Sequence, residues 1–208
     1  MARADARRRR LTVDAAELGL LGALAGGGVA PLRGRAETAH VLRALEEADV
    51  LERGAAVPWV AAIAGAVARP LLRAAVETFL GPGRVVPHRV WLDQDGAVLG
   101  RDLGGRFELA WVEHRQVVPA LLRALDVPEG AQAVERVLGL DELPARRWAW
   151  RASVPEREPL IVLDGGERGL WTCRALDGDR FAVAGASRAD VARRLAELLG
   201  GGRAEEPL

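Results

Sequence analysis

Residues 102–126 (DLGGRFELAWVEHRQVVPALLRALD) and 176–200 (LDGDRFAVAGASRADVARRLAELLG) align at an offset of 74 positions. Seven of the 25 aligned positions are identical: Gly104/Gly178, Arg106/Arg180, Phe107/Phe181, Ala110/Ala184, Val117/Val191, Leu121/Leu195 and Leu125/Leu199. Chance gives about three matches in such a window at this composition. Both copies run in the same order: a Gly-containing turn, an alternating strand opened by Arg-Phe, then a helix with leucines at helical spacing. The shared alternation turns the same face of each strand inward, so Phe107 and Phe181 are both expected in the core. The predicted architecture is α+β: an antiparallel β-sheet built from two pseudo-repeated βββα halves, with helical elements at the N-terminus and between the halves.

A pass along the chain fills in that outline. Residues 1–10, with Arg7–Arg10, read as a disordered basic arm and 201–208 as a disordered tail, leaving a first half over 11–128 and a second over 129–200 within one domain. Asp14 with Glu17 makes a capping pair for a helix over about 14–24. A second helix over about 36–48 carries Val41, Leu45 and Ala48 on one stripe. Pro58 suits the first turn of a third, nearly all-apolar helix that ends before Pro70. Residues 71–80 are ambiguous between helix and strand. Val85–Asp93, Ala97–Leu103 and Arg106–Glu113 read as strands, with Asp95-Gly96 and Gly104-Gly105 as hairpin turns. Pro119 suggests the first turn of a helix over 117–126, and 129–140 a short helix. Strands over 148–154, 160–164, 169–176 and 180–184 follow. Ser187 then caps a helix over about 188–199, with Asp190 completing the capping box.

Candidate chemistry is sparse. Every one of the 29 basic residues is arginine, and Lys, Asn and Tyr are absent. Those are residues with AT-rich codons, so the arginines report a GC-rich genome rather than phosphate binding. Net charge is zero, which argues against a general polyanion binder. Asp93-Gln94-Asp95-Gly96 begins like a calcium loop, but Gly104 stands where the bidentate carboxylate belongs. His40, His88 and His114 lack the spacing of a metal site. Cys173, the single cysteine, lies in an apolar strand and reads as a buried structural thiol. Ser187 lacks the Gly two residues later that a nucleophile elbow needs. No catalytic, cofactor-binding or metal residues are expected, and so no cofactor. Of six tryptophans, five (Trp91, Trp111, Trp148, Trp150 and Trp171) fall on expected strands, with Trp59 on a helix. Core is their default, with one of the strand tryptophans a possible interface anchor. No apolar run of about 18 residues is present to span a membrane.

Several stretches resemble the EspG family, the ESX (type VII) secretion-associated proteins of actinobacteria. VLRALEEADVLERGAAVPWVAAIAGAVARP resembles that family's helix, short step and apolar helix ending in Arg-Pro. VWLDQDGAVLG and RFELAWVEHRQVVPALLRAL resemble its hairpin, strand and helix, and RGLWTCRALDGDRFAVAGASRADVARRLAELL its closing strands and last helix. Together they cover most of 36–199. The resemblance implies a cytoplasmic, non-enzymatic chaperone or adaptor that binds a helical export substrate, with no nucleic-acid or membrane partner. The helical insertion expected before the second half is here reduced to roughly 129–147. The residues that would meet the partner are not identified by sequence, nor is the oligomeric state. The alternative is a DNA-binding, winged-helix-like protein formed by the helices over 14–69 and the hairpin after them.

Overall fold

The computed structural model describes residues 2–26, 35–79, 85–124, 135–139, 149–164, 170–176 and 180–200. It divides into two compact units, Met1–Arg73 with Arg89–His114, and Ala74–His88 with Arg115–Leu208. This is not the expected division at 128/129. Residues 74–88 belong with the later part of the chain, and the boundary at His114–Arg115 cuts through the first copy of the repeat. Both units are built on antiparallel strands with helices, so the α+β class holds.

In the first unit the strands run in the order β1 (Arg3–Asp5), β2 (Arg10–Asp14), β8 (Arg106–Val112), β7 (Ala97–Asp102) and β6 (Val85–Leu92), of which Arg89–Leu92 belong to this unit. The N-terminal segment is therefore a hairpin and not a disordered arm. The reason is visible in its second strand: Leu11 and Val13 alternate with polar residues, and both are fully buried opposite Leu109 and Phe107 of β8. Arginines 7–9 form the exposed turn between the strands. Against this apolar face lie α1 (Ala15–Gly26) and α3 (Pro58–Ala68), which pack on each other and bury Leu20, Leu21, Val60 and Ile63. Helix α2 (Arg35–Glu47) adds Val41 and Leu45. Glu17 is 2% exposed because it serves the expected cap. Its carboxylate accepts from the Asp14 N–H at 2.9 Å, and the Asp14 carboxylate accepts from the Glu17 N–H at 2.8 Å.

The second unit orders its strands as β5 (Leu72–Phe79), β10 (Ala149–Ser153), β11 (Leu160–Asp164), β12 (Leu170–Ala175), β13 (Arg180–Ala186) and β9 (Glu135–Gly139). Within the ambiguous stretch 71–80, Leu72–Phe79 is a strand, with Val76 buried and paired to Ala152. Glu135–Gly139 is also a strand, pairing along β13, where a short helix over 129–140 was expected. Its five residues alone are too short to separate helical from strand periodicity, so pairing decides. The remainder of 129–147 lies outside the described residues. Helix α4 spans His114–Ala124, so Pro119 sits inside it rather than in its first turn. Helix α5 (Arg188–Leu198) packs on β11 and β13 through Val191, Leu195 and Leu198.

Two features of this packing make sharp expectations. A Cβ on Gly100 would run into the indole of Trp91, which lies 7% exposed in the first unit's core. Gly100→Ala should lower stability by about 1–3 kcal/mol in a denaturant titration, whereas a wild-type midpoint would show that Trp91 is not seated there. At the start of α5, the Asp190 N–H donates to the Ser187 hydroxyl oxygen at 3.1 Å, and the Asp190 carboxylate accepts from the Ser187 hydroxyl and N–H at 2.6 and 3.0 Å. Those bonds, the hydroxyl's first, hold the Asp190 carboxyl below its ordinary value of 3.8. A depressed carboxyl contributes stability above its unfolded value, lost as pH falls through the lower folded one. The stability gap between wild type and Asp190→Asn should therefore shrink below pH 3.8; a gap constant from pH 6 to about pH 2 would exclude the cap as its source.

Candidate functional site

Several of the polar residues weighed as chemistry have structural occupations. Asp93 closes a turn in which its N–H donates to the Gly96 carbonyl at 2.8 Å and its carboxylate accepts from the Gln94 N–H. His114 starts α4, and its Nε2 lies 2.9 Å from the Gln94 carbonyl oxygen. His40 is exposed on α2 and His88 half-buried on β6, with neither beside His114 in a ligand group. Among the described residues no three His, Cys, Asp or Glu side chains could hold a metal ion. Cys173 is 7% exposed, within an apolar cluster with Leu163, Trp171 and Val183. Ser187 is the helix cap. Among the described residues no helix is long and apolar enough to cross a membrane.

The tryptophans divide differently from expectation. Trp91, Trp150 and Trp171 are 7%, 0% and 3% exposed, so these strand residues are core and not interface anchors. The indole N–H groups of Trp150 and Trp171 are enclosed without a hydrogen-bond partner, which marks both rings as held by shape and apolar contact. Trp59 and Trp111 are half-buried against the first unit's core. Trp148 lies outside the described residues.

What the surface offers instead is small. Among the described residues the exposed large apolar side chains are Leu71, Val85 and Leu103. Leu103 stands at the tip of the β7–β8 hairpin. The tip has a definite shape: Asp102 accepts from the Gly104 and Gly105 N–H groups at 2.9 and 3.1 Å, and the Leu103 N–H donates to the Arg106 carbonyl at 2.7 Å. Gly104 and Gly105 have φ values of +76° and +90°, which residues with a Cβ adopt only with strain. Leu103 is therefore held outward, 46% exposed, on a turn that its neighbours define.

No family model and no curated protein sequence matches the chain. Among solved structures it is similar to EspG5, the type VII secretion system chaperone of Mycobacterium tuberculosis, in the structure of its complex with the PE25–PPE41 dimer. The TM-score is 0.60 at 14% sequence identity, over 91% of this chain and 95% of that one. The chain has an EspG-like fold. At so low an identity the likeness lies in the path of the backbone, which is where the soft apolar patterns of 36–199 pointed.

Two surface features escaped sequence reading. One is Leu103, whose exposure follows from the turn geometry rather than from its residue type. The other is the loop Val154–Pro159, where Glu156 has φ +65° and the next residue, Arg157, reaches the end of α5. Leu103→Ser should shift the denaturation midpoint by no more than about 0.5 kcal/mol, whereas Trp150→Ala should cost about 3–5 kcal/mol. Comparable losses in the two variants would place Leu103 in the core and remove it as a surface candidate.

Proposed function

We propose that the protein is a chaperone or adaptor of a type VII secretion system, which binds a protein client in the cytoplasm and performs no turnover. The observation that carries the reading is the fold's likeness to a chaperone solved with a PE25–PPE41 dimer bound. The expected client is a paired helical export substrate, the class that the EspG resemblance implies. Zero net charge suits a protein partner better than a polyanion. The same reading treats the chain as two related halves. β6-β7-β8-α4 and β11-β12-β13-α5 run in the same order, and Phe107 and Phe181 are each half-buried against an apolar cluster of their own unit. Nothing favours the winged-helix alternative: α3 has no charged residue from Pro58 to Ala68 and packs against α1.

Mixing the purified protein with a PE–PPE-type dimer from the same genome, followed by size-exclusion chromatography with light scattering, tests the proposal. A stoichiometric complex that persists at raised salt is expected, because apolar contact is not screened. Leu103→Asp should weaken it. Separate elution of the components, together with retention on duplex DNA that vanishes between low and moderate salt, would overturn the reading.

A further inference from the structure

A groove of about 520 Å³ runs beside α5 in the second unit. Its walls carry Arg157, Arg174, Arg193 and Arg194 against Glu158 and Glu197, a surplus of two positive charges on a chain with none overall. Two of the four guanidinium groups are occupied. Arg157 Nη1 donates to the Leu198 and Glu197 carbonyls at 2.7 and 3.4 Å, closing the end of α5. Arg193 pairs with Glu197 at 3.0 Å and Asp190 at 3.6 Å. Arg174, on β12, and Arg194, on α5, are both exposed and have no ion-pair or hydrogen-bond partner among the described residues. The floor is different in kind: Leu160, Cys173 and Leu198 reach the groove while remaining 7–8% exposed.

We propose that this groove binds an acidic peptide segment, with carboxylates on Arg174 and Arg194 and an aliphatic side chain on the Leu160–Leu198 floor. Guanidinium groups present paired donors that match a carboxylate. An inorganic anion would use the walls and leave the apolar floor wet, so the combination selects a peptide that is both acidic and aliphatic. Arg157 and Glu156 belong to the support: the turn at Glu156 places Arg157 on the last carbonyls of α5 and so fixes the helix that carries Arg194. The inference does not depend on the chaperone reading, since a groove for acidic peptides can exist whether or not a PE–PPE-type dimer binds elsewhere.

The test is fluorescence anisotropy on the full chain with a fluorescein-labelled peptide of alternating Leu and Glu-Glu. Binding at low salt is expected, weakening several-fold as salt rises. Arg174→Glu with Arg194→Glu should reduce affinity by at least about tenfold, while Arg43→Glu on α2, an exposed arginine of the other unit, should change it less than about twofold. Replacing the peptide leucines by serine should also weaken binding, because the floor then has nothing to cover. Both groove arginines are exposed, so circular dichroism and a melting curve will show the double variant folded. Equal affinity in wild type and double variant would overturn the proposal. So would equal binding of the serine peptide, or complete competition by inorganic phosphate at equal concentration, either of which would make this a site for any anion.

Discussion

The ladder between β2 and β8 is the constraint on which the first unit depends. It joins residues 10–14 to residues 106–110 and puts Leu11 and Val13, both fully buried, over the face that α1 and α3 cover. Burying each such aliphatic side chain is worth about 1.5–3 kcal/mol. A slip of one residue would exchange Leu11 and Val13 for Thr12 and Asp14 on that face. It would also move Asp14 away from the start of α1, where its carboxylate receives the Glu17 N–H. Strand register and helix entry are thus set by the same few residues. The close fit of Trp91 over Gly100 rests on this arrangement, because Gly100 stands opposite Leu109, the partner of Leu11.

The second unit solves the same problem at the other end of the chain. Helix α5 is fastened at its start by the Ser187–Asp190 box and at its end by Arg157. Between them Val191, Leu195 and Leu198 are buried, the helix packing on β11 and β13. Ser187, which first invites a chemical reading, is therefore used for capping, and Arg157 for termination. A hydroxyl committed to a helix cap and an arginine committed to terminal carbonyls define the backbone; they are poorly placed to react. The exposed features that remain are a hairpin tip and a basic groove.

Much of the fold was legible where periodicity was strong or a cap was local. The strands over 85–112, the box at Ser187 and the pair Asp14–Glu17 follow from alternation and from spacing three residues apart. The failures occurred where distant pairing decides. Residues 1–10 look like a charged arm until β1 pairs with β2 and β2 with β8, and Glu135–Gly139 becomes a strand only along β13. The division into units was hidden for the same reason, since sequence adjacency says nothing of residues 74–88 joining the later strands. At the candidate site, the tryptophans showed the limit of residue type as a guide. Trp150 and Trp171 carry the composition of an anchor but occupy the interior, while the exposed Leu103 carries no special signal.

The proposed function requires the EspG-like fold to present a surface for a protein client. Hydrogen–deuterium exchange, with and without saturating PE–PPE-type dimer, reads that surface directly. The account predicts slowed exchange in a contiguous surface segment that includes Leu103–Gly105, with β10 and β12 unchanged because each is an interior strand already paired on both sides. Identical exchange along the whole chain in the presence of the dimer would contradict it.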